Sequence, residues 1–275
     1  MSVVARPRLE AWVLGFGAVG IGAGVAAGAG LLSPAVATAA GLAALGGLLG
    51  GVTVASARPE LELFGPCVKR GLHPGRAALT IDDGPHPVST GPLLDALARA
   101  GAHATFFVLA DRVRRHPDLF RAMLDGGHEI GLHGMSHHPW LTMRAPRAGA
   151  AELTAALKVL DEHGLAERRS SENGAPRVRW YRPPFGATSP RVYAAAHAAG
   201  LELAWCSVRT LDGVPIRPET LRARCRAVVG TDVVLLHEGP GPTSTLLPEI
   251  LDEWDARGIR ASSLSEALDL AREVA

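Results

Sequence analysis

Cysteine is scarce in this chain. Its 275 residues include only Cys67, Cys206 and Cys225, an odd number spaced far apart, which argues against a disulfide framework. No Cys-x-x-Cys pair offers a structural zinc or redox site. One bridge stays open, and packing is the simpler role for all three. An excess of one charge is lacking as well. With 28 Lys and Arg against 27 Asp and Glu, the net charge is +1, and no basic stripe suggests a nucleic-acid partner. No internal repeat is visible, and no Gly-x-Gly-x-x-Gly follows a strand-like run, so the dinucleotide-binding fingerprint is missing.

The most informative absence is local. From residue 11 to residue 57 there is no charged side chain, and Gly, Ala, Val and Leu dominate. A bilayer needs about 20 apolar residues per spanning helix, so this stretch is long enough for two, divided at Ser33-Pro34. The expectation is a transmembrane hairpin with helices at about 11–32 and 35–55. Gly20, Gly24, Gly28, Gly46 and Gly50 would let the two approach closely. A cleaved signal peptide is the alternative, since Ala55-Ser56-Ala57 resembles a small-residue cleavage site. Arg6 and Arg8 in front and Arg58, Lys69 and Arg70 behind leave the side of the membrane open under the positive-inside rule. The resulting division is an anchor at 1–57, a linker at 58–76 and a catalytic domain at 77–275.

After the linker, β-like runs alternate with amphipathic stretches. Strands are expected at 77–81, 104–109, 129–132, 179–182, 201–208, 232–236 and 260–264. Helices are expected at 91–100, 118–125, 149–162, 190–199, 218–228, 246–257 and 265–273. This alternation predicts a parallel α/β architecture, a distorted or incomplete (β/α)7-8 barrel, with a doubly wound sheet as runner-up. Only 167–176 looks like a flexible insert. Chemically capable residues recur just after strands, the rim where barrels place active sites. Asp82 and Asp83 follow the first strand, His133 the third, Arg182 ends the fourth, Asp212 follows the fifth and His237 the sixth.

In extended chain the adjacent carboxylates of Asp82 and Asp83 would point to opposite sides and need different partners. His133 and His137 are four apart, and on a helical turn they would share one face and converge on one ion. His138 offers an alternative partner for His133. No Glu lies between the histidines as in a His-Glu-x-x-His helix, so a general base must come from elsewhere. Arg182-Pro183-Pro184-Phe185-Gly186 is a stiff turn that would aim Arg182 and leave the Phe185 amide unbonded. Taken singly, an acidic turn explains the carboxylates as well as chemistry does, and loop histidines, a surface Arg and a capping or core His237 are the better readings of the other motifs.

Taken together and in order, these blocks resemble the NodB-type polysaccharide deacetylases, carbohydrate esterase family 4. Thr80-Ile81-Asp82-Asp83-Gly84-Pro85 is similar to that family's Thr-Phe-Asp-Asp-Gly-Pro. His133 to His137 resembles its two-histidine block, with Gly134 where Ser or Thr is usual. Arg182-Pro183-Pro184-Phe185 matches its Arg-x-Pro-Tyr/Phe block, and Leu235-Leu236-His237 its Leu-x-His block. The fourth block, usually Asp-x-x-Asp-Trp, is the departure: 207–213 keeps Asp212 and lacks the Trp.

The resemblance implies a divalent metal, Zn²⁺ with Co²⁺ as alternative, held by Asp83, His133 and His137. It implies Asp82 as general base oriented by Arg182, the Phe185 amide at the oxyanion, and His237 as general acid with Asp212 as its carboxylate neighbour. Leu235 would line a pocket for the acyl methyl. Trp140, Tyr181 and Trp205 could offer stacking surface, with packing the better role for Trp205, and His86 could sit at the cleft mouth. The implied reaction removes N-acetyl groups from amino sugars of an envelope polysaccharide or a lipid-linked glycan at a bacterial cell membrane. A small non-glycan amide or N-formyl substrate is the second reading, motivated by the departure at 209–213. A catalytically inactive glycan-binding module is the third.

Overall fold

The computed structural model describes residues 8–70, 73–138, 141, 143–166 and 178–274. Trp140 and the 167–176 insert lie outside the described residues. Two long helices, α1 (Arg8–Gly28) and α2 (Pro34–Ala57), come first, joined by a turn at 29–33 and packed side by side. The expected division at Ser33-Pro34 is therefore where one helix gives way to the next. Among the described residues, Pro34–Val54 is the one helix long and apolar enough to cross a membrane, with mean hydropathy 1.8 and 6% of it buried. Ala18–Gly28 is a shorter apolar stretch. The glycines do not act as expected. A Cβ added at Gly20, Gly24, Gly28, Gly46 or Gly50 would meet nothing within 4 Å, so none sits where two backbones touch. Among the described residues, the small side chains buried in this helical pair are Ala23 and Ala44.

The rest of the chain is a parallel sheet wrapped in helices. In order it comprises β1 (Arg76–Gly84), α3 (Thr90–Ala100), β2 (Thr105–Leu109), α4 (Ala110–Arg115), α5 (Pro117–Asp125), β3 (Glu129–Gly134) and α6 (Pro146–Leu160). Then follow β4 (Trp180–Tyr181), α7 (Pro190–Ala198), β5 (Glu202–Leu203), β6 (Val208–Arg209) and α8 (Pro218–Arg226). β7 (Val233–His237), α9 (Thr243–Ala256), β8 (Arg260–Ser262) and α10 (Leu264–Val274) complete it. The strand order is β5-β4-β3-β2-β1-β7-β6, with β8 paired to the first residues of β1, and every pairing is parallel. The two outermost strands, β5 and β6, are joined by only four residues, 204–207. The sheet therefore curls until its edges meet there without a ladder between them. This is the incomplete barrel the alternation predicts.

The expected single strand at 201–208 is broken in two. The chain leaves the ladder at Trp205 because its backbone is used elsewhere: the Trp205 carbonyl accepts from Arg182 Nη2 at 3.0 Å, and its amide donates to the Val68 carbonyl at 2.7 Å. The helix α4 was not expected, since six residues rich in Arg carry little periodicity.

A strand buried on both faces tends to be continuously apolar, and β2, Thr-Phe-Phe-Val-Leu, is buried at every position. Phe106, Phe107, Trp180 and Tyr181 are among the largest fully buried side chains. Burying a side chain of this size stabilises by roughly 1.5–3 kcal/mol. Tyr181 is thus core, not sugar-stacking surface. This core fixes the strands, and the strands fix the rim on which the polar residues stand.

Candidate active site

Asp82 and Asp83 lie near the end of β1, between β2 and β7. The alternation expected for extended chain fails at the second carboxylate, because Asp83 has φ 71°. A left-handed residue re-aims its side chain, and both carboxylates line one cleft. The Asp83 carbonyl accepts from Arg112 Nη1 of α4, which helps hold this uncommon conformation.

His133 is a strand residue and His137 lies in the bend after β3, so the two do not share a helical turn. Gly134, with φ +113°, bends the chain back so that the rings come to 5.3 Å between centroids. That backbone conformation is open to glycine at little cost. His133 Nδ1 is 2.7 Å from the Arg182 carbonyl. A carbonyl only accepts, so Nδ1 carries the hydrogen and Nε2 presents its lone pair to the cleft. Burial pushes the His133 pKa down, against the pull of Asp82 and Asp83. His138 is exposed and stands outside this cluster.

Asp83 Oδ1 lies 3.7 Å from His133 Nε2 and 3.5 Å from His137 Nε2. These separations exceed hydrogen-bond length, and Asp83 Oδ1 is buried with no hydrogen-bond partner. Ligand atoms around a tetrahedral ion with ~2.1 Å bonds sit roughly 3.4 Å apart. The carboxylate and the two imidazoles therefore fit a divalent cation, and no other such group of His, Cys, Asp and Glu occurs among the described residues.

Arg182 is wholly buried. Its Nη1 donates to Asp82 Oδ1 at 2.7 Å and to Thr80 Oγ1 at 2.8 Å, its Nη2 to the Trp205 carbonyl, and the guanidinium lies 4.1 Å from the centroid of the Phe107 ring. Asp82 Oδ1 is thereby occupied, and Oδ2 points toward His133 Nε2 at 3.9 Å. Phe185, with φ 59°, is 63% exposed and sets its ring edge-on to His137 at 4.3 Å. Its amide finds no hydrogen-bond partner among the described residues.

On the opposite wall stands His237, paired with Asp82 across β1 and β7. Its Nδ1 is 2.9 Å from Asp212 Oδ1, so Asp212 is the expected carboxylate neighbour despite the altered fourth block. Asp212 is buried and also accepts from the His237 amide, Thr210 and Thr243. Burial raises its pKa, yet these hydrogen bonds and the His237 charge outweigh it and leave the carboxyl below its ordinary value. Burial likewise opposes a charged His237, but the hydrogen bond to Asp212, then the charges of Asp82, Asp212 and Asp83, raise its pKa above the usual 6.5. A Cβ at Gly213 would sit 2.9 Å from the His237 ring. The imidazole thus takes the space beside a residue where the family usually has Trp. Leu235 forms the apolar floor between the two walls.

Trp205 is buried, as expected, with its ring pressed on Gly186, where a Cβ would fall 2.1 Å away. His86 does not line the cleft. It lies behind it, where its amide donates to Thr90 and Glu238. The cleft has a volume of about 230 Å³, below the roughly 300–1,000 Å³ of sites that enclose a whole drug-sized ligand. It can take an acetamido group and part of a sugar, with the rest outside.

Two residues here escaped sequence reasoning. Arg112 gave no signal, being one Arg among several. Glu238 gives none either, since strand alternation turns the residue after His237 away from the cleft, and it does face away. It is buried beneath the 84–90 loop, accepting from Thr90 Oγ1, the His86 amide at 3.2 Å and Ser89 Oγ at 3.4 Å. Its Oε1 has no partner, and burial pushes its pKa from 4.5 up to about 7. The folded-state pKa lies above the unfolded one, so folding favours the protonated form. This contribution is fully present below about pH 4.5 and lost as pH rises through about 7. Glu238→Gln should therefore match the parent near pH 4.5 and exceed it at pH 8 by roughly 2–3 kcal/mol. Denaturant midpoints against pH test this, and parallel curves for the two proteins would refute it.

The polysaccharide deacetylase family model matches residues 69–204. A peptidoglycan-N-acetylglucosamine deacetylase of Bacillus cereus is 32% identical over 197 residues, 70% of this chain and 87% of that protein. A chitooligosaccharide deacetylase of Azorhizobium caulinodans is 32% identical over 189 residues, 68% of this chain and 82% of that protein. The solved structure of the peptidoglycan deacetylase PdaC from Bacillus subtilis superposes with a TM-score of 0.64, at 24% identity, over 74% of this chain and 94% of that one. With the ordered motifs, the curled parallel sheet and this similarity in hand, the chain belongs to the polysaccharide deacetylase family, the NodB-type carbohydrate esterases of family 4.

Proposed function

We propose that this chain is a metal-dependent N-deacetylase of amino sugars in an envelope glycan or its lipid-linked precursor. Residues 1–57 would anchor it to a bacterial membrane, 58–76 link it and 77–275 carry the chemistry. One observation carries the reading. A single cleft joins the Asp83–His133–His137 donor set to the Asp82–Arg182 pair on one wall and the His237–Asp212 pair on the other.

Asp83, His133 and His137 would hold a divalent ion, Zn²⁺ or Co²⁺, which when bound supplies Lewis acidity to the acyl oxygen and acidifies the attacking water. Asp82 is the base. Its Oδ1 is fixed by Arg182, so Oδ2 takes the proton from water as the oxygen attacks the acyl carbon. The Phe185 amide donates to the oxygen that gains charge, and Leu235 packs on the acyl methyl. His237, its Nδ1 held by Asp212, gives its Nε2 proton to the leaving nitrogen, so that the carbon–nitrogen bond breaks to acetate and amine. Base and acid are neighbours across β1 and β7, which places them on either side of one reacting group.

The exposed lip of Phe185, Leu211 and Val214 leaves room for a glycan to extend beyond the cleft, which favours a sugar over a small enclosed amide. The test is acetate release from N-acetylglucosamine oligomers and lipid-linked N-acetylamino sugars. Release that stops on chelation and returns with added Zn²⁺ or Co²⁺ is expected. No release from any of them would overturn the proposal, and N-formyl and simple amide substrates in the same assay separate the second reading.

A further inference from the structure

The apolar helix does not hang from the domain by a free linker. Its last turn is fixed to the shoulder of the cleft. The Ser56 carbonyl of α2 accepts from the Thr188 amide at 2.8 Å, and Val52 packs on a small cluster of Leu63, Phe64 and Tyr193. The end of α2 also lies against the Pro184–Gly186 turn, the turn that carries Phe185. Thr188 is three residues beyond Phe185, a span of at most about 11 Å. The apolar stretch suited to a membrane ends at Val54, two residues before the anchoring carbonyl. A headgroup layer is roughly 5–8 Å deep on each side of the hydrocarbon core. The cleft lip therefore lies within or just above that layer whenever Pro34–Val54 is embedded.

The chemistry of the lip points the same way. Phe185, Leu211 and Val214 are 63%, 41% and 60% exposed, an apolar edge unusual for a surface that meets only water. Between them stands Arg209, exposed, its guanidinium 5.5 Å from the centroid of the Trp205 ring. Some surface arginines of this chain are matched with carboxylates, as in Arg179–Glu202, Arg222–Glu249 and Arg226–Glu253, and others donate to carbonyls, as Arg191 and Arg257 do. Arg209 has no acidic partner among the described residues, although its backbone is fixed by β7 and by Arg224. An unneutralised guanidinium beside a cleft that takes an N-acetyl group is suited to a phosphate a short distance along the same molecule.

We propose that the cleft opens at the membrane interface and that its substrate is an N-acetylamino sugar carried on a membrane lipid through a phosphate or diphosphate. This rests on the deacetylase reading and sharpens its substrate. The lip rests among headgroups, Arg209 meets the anionic linker, and the acetamido group reaches between Asp82 and His237. A sugar polymer free in solution offers neither the membrane depth nor the linker charge.

The test uses the full chain, loaded with Zn²⁺, in phospholipid nanodiscs. Val214→Cys and Val229→Cys are each labelled with a fluorescent bimane, the native Cys67, Cys206 and Cys225 being buried. Val214 lines the cleft, and Val229 lies before β7 at the other end of the sheet. Lipids spin-labelled at the headgroup should quench the label at 214 at least twofold more than the label at 229. Equal quenching, or stronger quenching at 229, overturns the orientation. In parallel, kcat/KM is compared for an N-acetylglucosamine pentamer in solution and for N-acetylglucosamine on polyprenyl phosphate and diphosphate in the discs. An advantage of tenfold or more for the lipid-carried sugar is expected, and the two carriers show whether one phosphate suffices. Equal or better turnover of the pentamer overturns the substrate assignment and leaves the deacetylase reading standing. No acetate from any of them overturns that reading and the substrate with it, while the quenching still decides the orientation.

Discussion

Asp82→Asn is expected to lower kcat for acetate release by about three orders of magnitude with the metal still bound. A positioned general base contributes roughly 10²–10⁴-fold, and here no other carboxylate can take its place. Asp83 is turned toward the two imidazoles by its left-handed backbone, and Asp212 is saturated by four donors. Asn keeps an acceptor for Arg182 but cannot take the proton. The same change removes the counter-charge of a guanidinium that is wholly buried. Removing one partner of a buried pair destabilises by about 3–5 kcal/mol in general. The retained Asn oxygen, with Thr80 and the Trp205 carbonyl still bonded to Arg182, should keep this near the lower end. Kinetics, metal content and a denaturation midpoint on one preparation separate the two effects. A folded, metal-loaded variant with more than a tenth of the parent kcat would show that Asp82 is not the base.

His237→Ala is expected to lower kcat by about 10²–10³-fold, within the roughly 10²–10⁴-fold range of a positioned acid or base, and Asp212→Asn to act through pH. The working form of His237 is the protonated one, so activity is present below its pKa and falls as pH rises through it. The Asp212 hydrogen bond and the nearby carboxylates overcome burial and hold that pKa above the usual 6.5. Asp212→Asn removes one of those carboxylates and weakens the bond. The alkaline limb of the kcat profile should move to lower pH, with a loss at pH 8 of roughly tenfold or more and a smaller loss at pH 6. A uniform loss with an unmoved limb would mean that Asp212 acts on the stability of the loop and not on the acid. The distinction matters because Asp212 also accepts from Thr243 and Thr210, and a merely structural role would change the midpoint of unfolding without changing the profile.

The positions of the candidate site residues along the scaffold were legible in the sequence. Asp82, Asp83, His133, Arg182, Asp212 and His237 all fall at or just after strands, and the structure brings Asp82, Asp83, His133 and His237 to one cleft, with Arg182 and Asp212 bonded behind Asp82 and His237. The local errors have one origin. Periodicity describes regular backbone, and the site departs from it where it matters. Asp83 and Gly134, with φ 71° and 113°, turn side chains in directions that alternation and helical spacing cannot give. The break in the strand expected at 201–208 is of the same kind, since the Trp205 carbonyl serves Arg182 instead of a neighbouring strand.

By itself, then, the sequence determined which donor atoms the chain can offer, in what order, on an alternating parallel scaffold behind a charge-free N-terminal stretch. Those follow from residue identity and near-neighbour pattern. Only the tertiary structure decided which donors meet. Asp82 and Arg182 are 100 positions apart, and Glu238 supports the acidic loop from 148 positions away. Ser56 meets Thr188 across 132 residues, and with that contact the cleft comes to stand beside the apolar helix. Such contacts depend on how the sheet curls and on which sign a few φ angles take, and neither is written in a local pattern of apolar and polar residues.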